Sequence, residues 1–175
     1  MNFSDFRTFP HCSYRVDIGW DHLEFHISTS VEETKLDLNP DFQRGHVWTE
    51  QQQSAFCEYI LKGGTSGKEL YFNHPGWMKD WKGEYVIVDG KQRLEAVRCF
   101  MRNEIKVFGH YLSEFSNKPD IITARFSWNV ASVKTRAEVL QWYLDFNAGG
   151  TPHSQDEIER VRNLLEQEKN LDISH

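Results

Sequence analysis

The run EYVIVDGKQRLEAVRCFMRN, residues 84–103, constrains this chain more than any other stretch. Tyr85 to Val88 form a short apolar run of β-formers that enters Asp89-Gly90 without a break. Leu94, Val97, Phe100 and Met101 then recur at helical spacing. The pattern predicts a buried strand turning directly into an amphipathic helix. A plain turn of that kind needs a glycine and a cap. It does not need Asp89, Lys91, Gln92 and Arg93 gathered in one corner.

The remaining elements read as follows. DHLEFHI (residues 21–27) alternates and predicts a half-exposed strand, with Leu23, Phe25 and Ile27 on one face and His22, Glu24 and His26 on the other. That polar face is either solvated or able to hold a metal ion. Residues 36–48 carry a proline and read as irregular. TEQQQSAFCEYILKGG predicts a helix with a Thr49/Gln52 capping box, a stripe of Phe56, Cys57, Ile60 and Leu61, and a stop at Gly63-Gly64. Residues 71–83 read as an aromatic loop and IKVFG (residues 105–109) as a short strand. IITARFSWNV predicts a strand with Ile122, Ala124, Phe126, Trp128 and Val130 inward. Two helices close the chain, at 135–147 behind a Thr135/Glu138 box and at 155–169 behind Ser154 and Glu157. The fold class expected is mixed α/β (α+β): a small mixed sheet flanked by about four helices. Residues 1–19 are assigned to an N-terminal extension and 20–170 to the domain.

The 175 residues suffice for one domain with a core of its own. A net charge of −6 excludes a surface built to hold DNA by bulk electrostatics, though not a small polyphosphate in a cationic pocket. Cys12, Cys57 and Cys99 lack C-x-x-C spacing and read as free thiols in a reducing compartment. The first residues lack the apolar centre of a signal peptide, and no run has the length of a membrane span, so the expected address is the cytoplasm with no membrane partner. Trp48, Phe72, Trp77, Trp81, Trp128 and Trp142 lie beside polar motifs and either wall a cleft or fill the core.

A helix starting near Lys91 leaves its first N–H groups unpaired and favours an anion there. Gly90 admits close backbone approach, while Lys91 and Arg93 add positive charge. Asp89 is placed to cap the helix or to hold a divalent ion that bridges phosphates. LNPDFQRGHVWTEQQ sets Gln43, Arg44, His46 and Trp48 just before a second helix, where Arg44 suits an anion and Trp48 a stacked base.

These two stretches, Pro40-x-x-Gln43-Arg44-x-x-x-Trp48 and Val88-Asp89-Gly90-x-Gln92-Arg93, resemble the paired boxes of the ParB/sulfiredoxin-like superfamily. Within it they are most similar to the branch marked by DGQQR, found in the N-terminal halves of GmrSD-type restriction factors and related phage-defence proteins. FNAGGTPHSQDEI (residues 146–158) resembles a third family element. The resemblance implies a nucleoside-triphosphate site with Mg²⁺. Arg44, Arg93 and Lys91 would grip phosphates, and Gln43 and Gln92 would bond phosphate or orient water. Asp89 would hold the metal or position the attacking water; Trp48, Gly90, Asn147 and Thr151 would contact the nucleotide. His46 and His153 lie beside the boxes. The branch is linked to nucleotide hydrolysis that controls a nuclease, with Asp89, Gln92 and Arg93 as the catalytic set. Lys91 departs from DGQQR and cannot accept a hydrogen bond, so binding is better supported than hydrolysis. It also stands where sulfiredoxins carry their catalytic cysteine. No H-N-H spacing is visible. The alternatives are a non-catalytic DNA-binding or interaction protein and a metal-dependent nuclease. DNA, a nuclease partner and a homodimer remain open as partners.

Overall fold

Tyr85–Asp89 (β4) explains the architecture, because its side chains divide between two cores. Tyr85 and Ile87 enter one hydrophobic cluster, Val86 and Val88 another, and all four are buried. A strand buried on both faces reads as a continuous apolar run rather than an alternating one. The computed structural model describes residue 2 and residues 9–45, 47–148 and 155–173, with the side chains of 172 and 173 left aside.

Among the described residues, five strands form one mixed sheet in the order β1-β5-β3-β4-β2. They are β1 (Cys12–Gly19), β2 (Leu36–Asp37), β3 (Glu69–Asn73), β4 and β5 (Arg125–Ala131). β1 pairs antiparallel with β5, and β3 pairs parallel with β5 and antiparallel with β4. β2 adds a two-residue parallel edge to β4. The helices are α1 (Leu23–Thr34), α2 (Glu50–Leu61), α3 (Lys91–Met101), α4 (Arg136–Ala148) and α5 (Gln155–Ile173). The expected fold class and the four expected helices are present, with α1 in addition.

The first core joins α1, α2 and α3 to one sheet face. Phe72 and Trp128 stack at 3.8 Å in its centre, and the Trp128 indole N–H donates to the Tyr85 hydroxyl at 2.7 Å. Cys57 lies wholly inside it, where burial pushes the thiol up to about 12. The second core joins α4 and α5 to the opposite face through Phe42, Val139, Leu140, Trp142, Val161 and Leu165. Both predicted capping boxes form, at Thr49/Gln52 and at Thr135/Glu138. No helix among the described residues is long and apolar enough to cross a membrane.

Several expectations are corrected. DHLEFHI is not a strand: Leu23 and Ile27 are buried while Phe25 is 74% exposed, the pattern of α1. Its polar residues do not gather a metal. Glu24 binds Arg98 and Arg102, His26 lies edge-on to Trp128, and no group of three metal-ligating residues occurs among the described residues. IKVFG makes only an isolated bridge between Val107 and His110, although Ile105 and Val107 are buried. Ile122 lies outside β5 and is exposed, and the start of the supposed aromatic loop is β3. Residues 12–19, assigned from the sequence to an extension, form β1 of the sheet.

Candidate functional site

A cavity of about 330 Å³ opens where β4 passes into α3. Gly90 makes the turn with φ 99° and ψ 5°, and a Cβ there would lie 2.4 Å from Cδ2 of fully buried Leu70. Glycine is therefore required both for the left-handed backbone and for space. No side chain caps α3, and its first turn holds no acid. The leading N–H groups of the helix are left with no partner further back in the helix, and the dipole favours an anion beside them. Lys91, Gln92 and Arg93 occupy that first turn and line the cavity.

The two boxes are joined by their glutamines. Gln43 Nε2 donates to Val88 O at 2.8 Å and to Ile87 O at 3.2 Å. Gln92 Oε1 accepts from Val47 N at 2.9 Å and Trp48 N at 3.2 Å, and Gln92 Nε2 donates to Gly45 O at 3.0 Å. Lys91 Nζ donates to Arg44 O at 2.9 Å, and burial pulls its pKa down from the ordinary lysine value. The loop before α2 is thereby stitched to the β4–α3 corner across more than forty residues of chain.

The charged groups at the cavity and just behind it form opposed pairs. Arg93 binds the Asp89 carboxylate one turn earlier, and Arg44 lies 3.6 Å from Glu157 of α5. Arg44, Lys91 and Arg93 thus meet Asp89 and Glu157 with one positive charge in excess. Trp48 is half-buried edge-on to Phe56 and supplies an apolar wall. Tyr143 and Phe146 of α4 supply another. Burial, with the nearby Glu157 charge, pushes the Tyr143 phenol up to about 12, so it is protonated at neutral pH.

Nine of the ten residues singled out in the sequence line this one cavity: Gln43, Arg44, Trp48, Asp89, Gly90, Lys91, Gln92, Arg93 and Asn147. Asn147 commits its amide to Tyr143 O at 2.7 Å. The tenth, Thr151, lies outside the described residues, as do His46, His153 and Ser154. Phe72, Trp128 and Trp142 belong to the cores, and Trp77 and Trp81 pack on each other and His74 away from the cavity. Tyr143, Phe146 and the part played by Glu157 escaped the sequence reading. A signal existed in the helical spacing that sets Tyr143 and Phe146 on the face of Asn147.

A family model described as GmrSD restriction endonuclease, N-terminal domain, matches residues 27–171. The chain belongs to that family. No curated protein and no solved structure matches it. For this GmrSD N-terminal domain the matched span runs from α1 through α5, so every residue lining the cavity falls within it. The function of the domain is accordingly restriction-related.

Proposed function

We propose that this domain binds a nucleoside triphosphate at the β4–α3 corner and thereby acts as the sensing part of a restriction, phage-defence system. One observation carries the reading. An uncapped helix N-terminus, with Lys91 and Arg93 in its first turn and Arg44 opposite, faces a cavity walled by Trp48, Tyr143 and Phe146. Helix N-terminus and cations suit phosphate oxygens, while the aromatic walls suit a base. The volume lies at the lower end of the range of small-molecule sites.

Mg²⁺ fits this donor set as a companion of the phosphates. Mg²⁺ is commonly held by one or two carboxylates plus substrate phosphates, and Asp89 is the carboxylate lining the cavity. When bound it would neutralise phosphate charge. Phosphate entering beside Arg93 would draw that guanidinium away from Asp89 and free the carboxylate for the ion. Gln43 and Gln92 serve this reading by holding the two halves of the cleft together. Phosphate release is the assay that decides whether hydrolysis follows binding, with Asp89, Gln92 and Arg93 as the residues to vary.

The test is a thermal-shift screen of ATP, GTP, CTP and UTP with Mg²⁺, beside Arg44→Ala and Arg93→Ala. A ligand at about a hundred times its Kd adds about 2.7 kcal/mol. One nucleotide should stabilise the parent and neither folded variant. No shift with any nucleotide would remove this function.

A further inference from the structure

We propose that Glu157 is a built-in competitor for Arg44 that lowers the cavity's affinity for extended polyphosphates, an inference that rests on the phosphate reading above. Glu157 does not line the cavity; it acts through Arg44, whose Nη1 lies 3.6 Å from its Oε2. Direct charge-assisted hydrogen bonds run at about 2.7–2.9 Å, so this contact is loose. The side chains are 15% and 25% exposed, which shelters the pair from full solvent screening. Arg44 can therefore exchange this partner for a better one.

The carboxylate is nevertheless held in reach by its surroundings. Arg160, three residues on and on the same face of α5, donates to the backbone carbonyls of Asp41 and Phe42. Arg136 of α4 grips the Asp41 carboxylate at 2.6 and 2.7 Å. On its other side the loop is fixed by Lys91 at the Arg44 carbonyl. α5 is thus docked on residues 41–44 by contacts independent of the Arg44–Glu157 pair. Glu157 stays beside Arg44 unless a ligand outcompetes it.

The consequence is a cost that falls on long ligands and spares short ones. Orthophosphate at the α3 N-terminus meets Lys91 and Arg93 and leaves the Arg44–Glu157 pair intact. A polyphosphate that extends across the cavity reaches Arg44 and must displace the carboxylate. The guanidinium fork of Arg44 donates to two terminal phosphate oxygens as readily as to a carboxylate, and the greater charge of the phosphate lets it displace Glu157 at the cost of breaking the pair. Glu157 is therefore a tuning residue whose removal strengthens binding.

The experiment measures calorimetric Kd values of orthophosphate and tripolyphosphate for the parent, Glu157→Gln, Glu157→Asp, Arg44→Ala and the Arg44→Ala/Glu157→Gln double variant. Loss of a partly exposed ion pair predicts that Glu157→Gln tightens tripolyphosphate about fivefold and leaves orthophosphate within about twofold. Glu157→Asp, whose shorter carboxylate retreats from Arg44, moves the same way by less and serves if the glutamine variant does not fold. In the Arg44→Ala background Glu157→Gln has no effect, which separates competition for Arg44 from a general loosening of α5. Unchanged or weaker tripolyphosphate binding in Glu157→Gln, with Arg44→Ala still defective, overturns the competitor and leaves the phosphate site standing. No binding of either anion by any form removes both.

Discussion

Gln92 commits both ends of its carboxamide to the backbone of residues 45–48, and Gln43 ties the same loop to β4. Each Gln-Arg pair therefore divides its labour: the amide joins the boxes and the cation faces the cavity. Gln92→Ala leaves Val47 N, Trp48 N and Gly45 O to find water, and should cost about 1–2 kcal/mol in urea unfolding. Hydrogen exchange at Val47 and Trp48 should rise at the same time. Gln92→Glu keeps the two accepted bonds but sets a carboxylate oxygen against the Gly45 carbonyl, so it should fall between parent and alanine. Unchanged exchange in the alanine variant would contradict the positioning role. That these residues share one site was legible, because both pairs flank helix starts. Their division of labour was not, since an amide that orients water and one that clamps a loop look alike in sequence. The choice depends on which backbone comes within 3 Å after folding.

Among the elements, legibility followed the length of the periodic signal. α2, α3 and α4 carry stripes over three turns, α2 and α4 behind caps, and both boxes formed where their spacing placed them. DHLEFHI is too short to separate the two periods, because apolar residues at i and i+4 suit a strand and a helix equally. Phe25 tipped the reading toward a strand, yet it lies on the outer side of α1. In β1 the alternation of Tyr14, Val16 and Ile18 against Ser13, Arg15 and Asp17 was the available signal. That strand covers the long edge of β5, with partners from Cys12–Ala131 to Gly19–Arg125. Deleting residues 1–19 would uncover β5 and the Phe126–Trp128 region behind it, creating an unpaired edge prone to association. The truncated chain should lose its cooperative thermal transition or aggregate on light scattering. A monomer with the parent's transition would show that β1 is dispensable.

For the whole molecule, the site lies where the two cores meet, at the end of a strand that feeds both. Its stability therefore depends on groups far from the cavity, two of them histidines. His74 is 1% exposed among Trp77, Trp81 and Tyr85, and its Nδ1 accepts from Gly76 N at 3.1 Å. His26 packs edge-on to Trp128 at 4.7 Å. Burial lowers both below the ordinary value of 6.5, so each is held neutral in the fold. Between the folded pKa and 6.5 the unfolded chain binds more protons, and stability falls as the pH falls through that window. For His74 the added proton also removes the acceptor used by Gly76. Acid groups respond lower down. Burial raises Glu24, but Arg98 and Arg102 outweigh it and hold its pKa below 4.5, so that contribution persists until more acidic pH. Unfolding free energy should therefore decline from about pH 7.5 to about pH 5.5, and a His26→Gln/His74→Gln variant should show a shallower decline. The comparison is made by urea denaturation at each pH, so that the loss of packing common to all pH values cancels from the slope. Equal slopes in parent and variant would assign the acid sensitivity to other groups and leave the two histidines as packing residues alone.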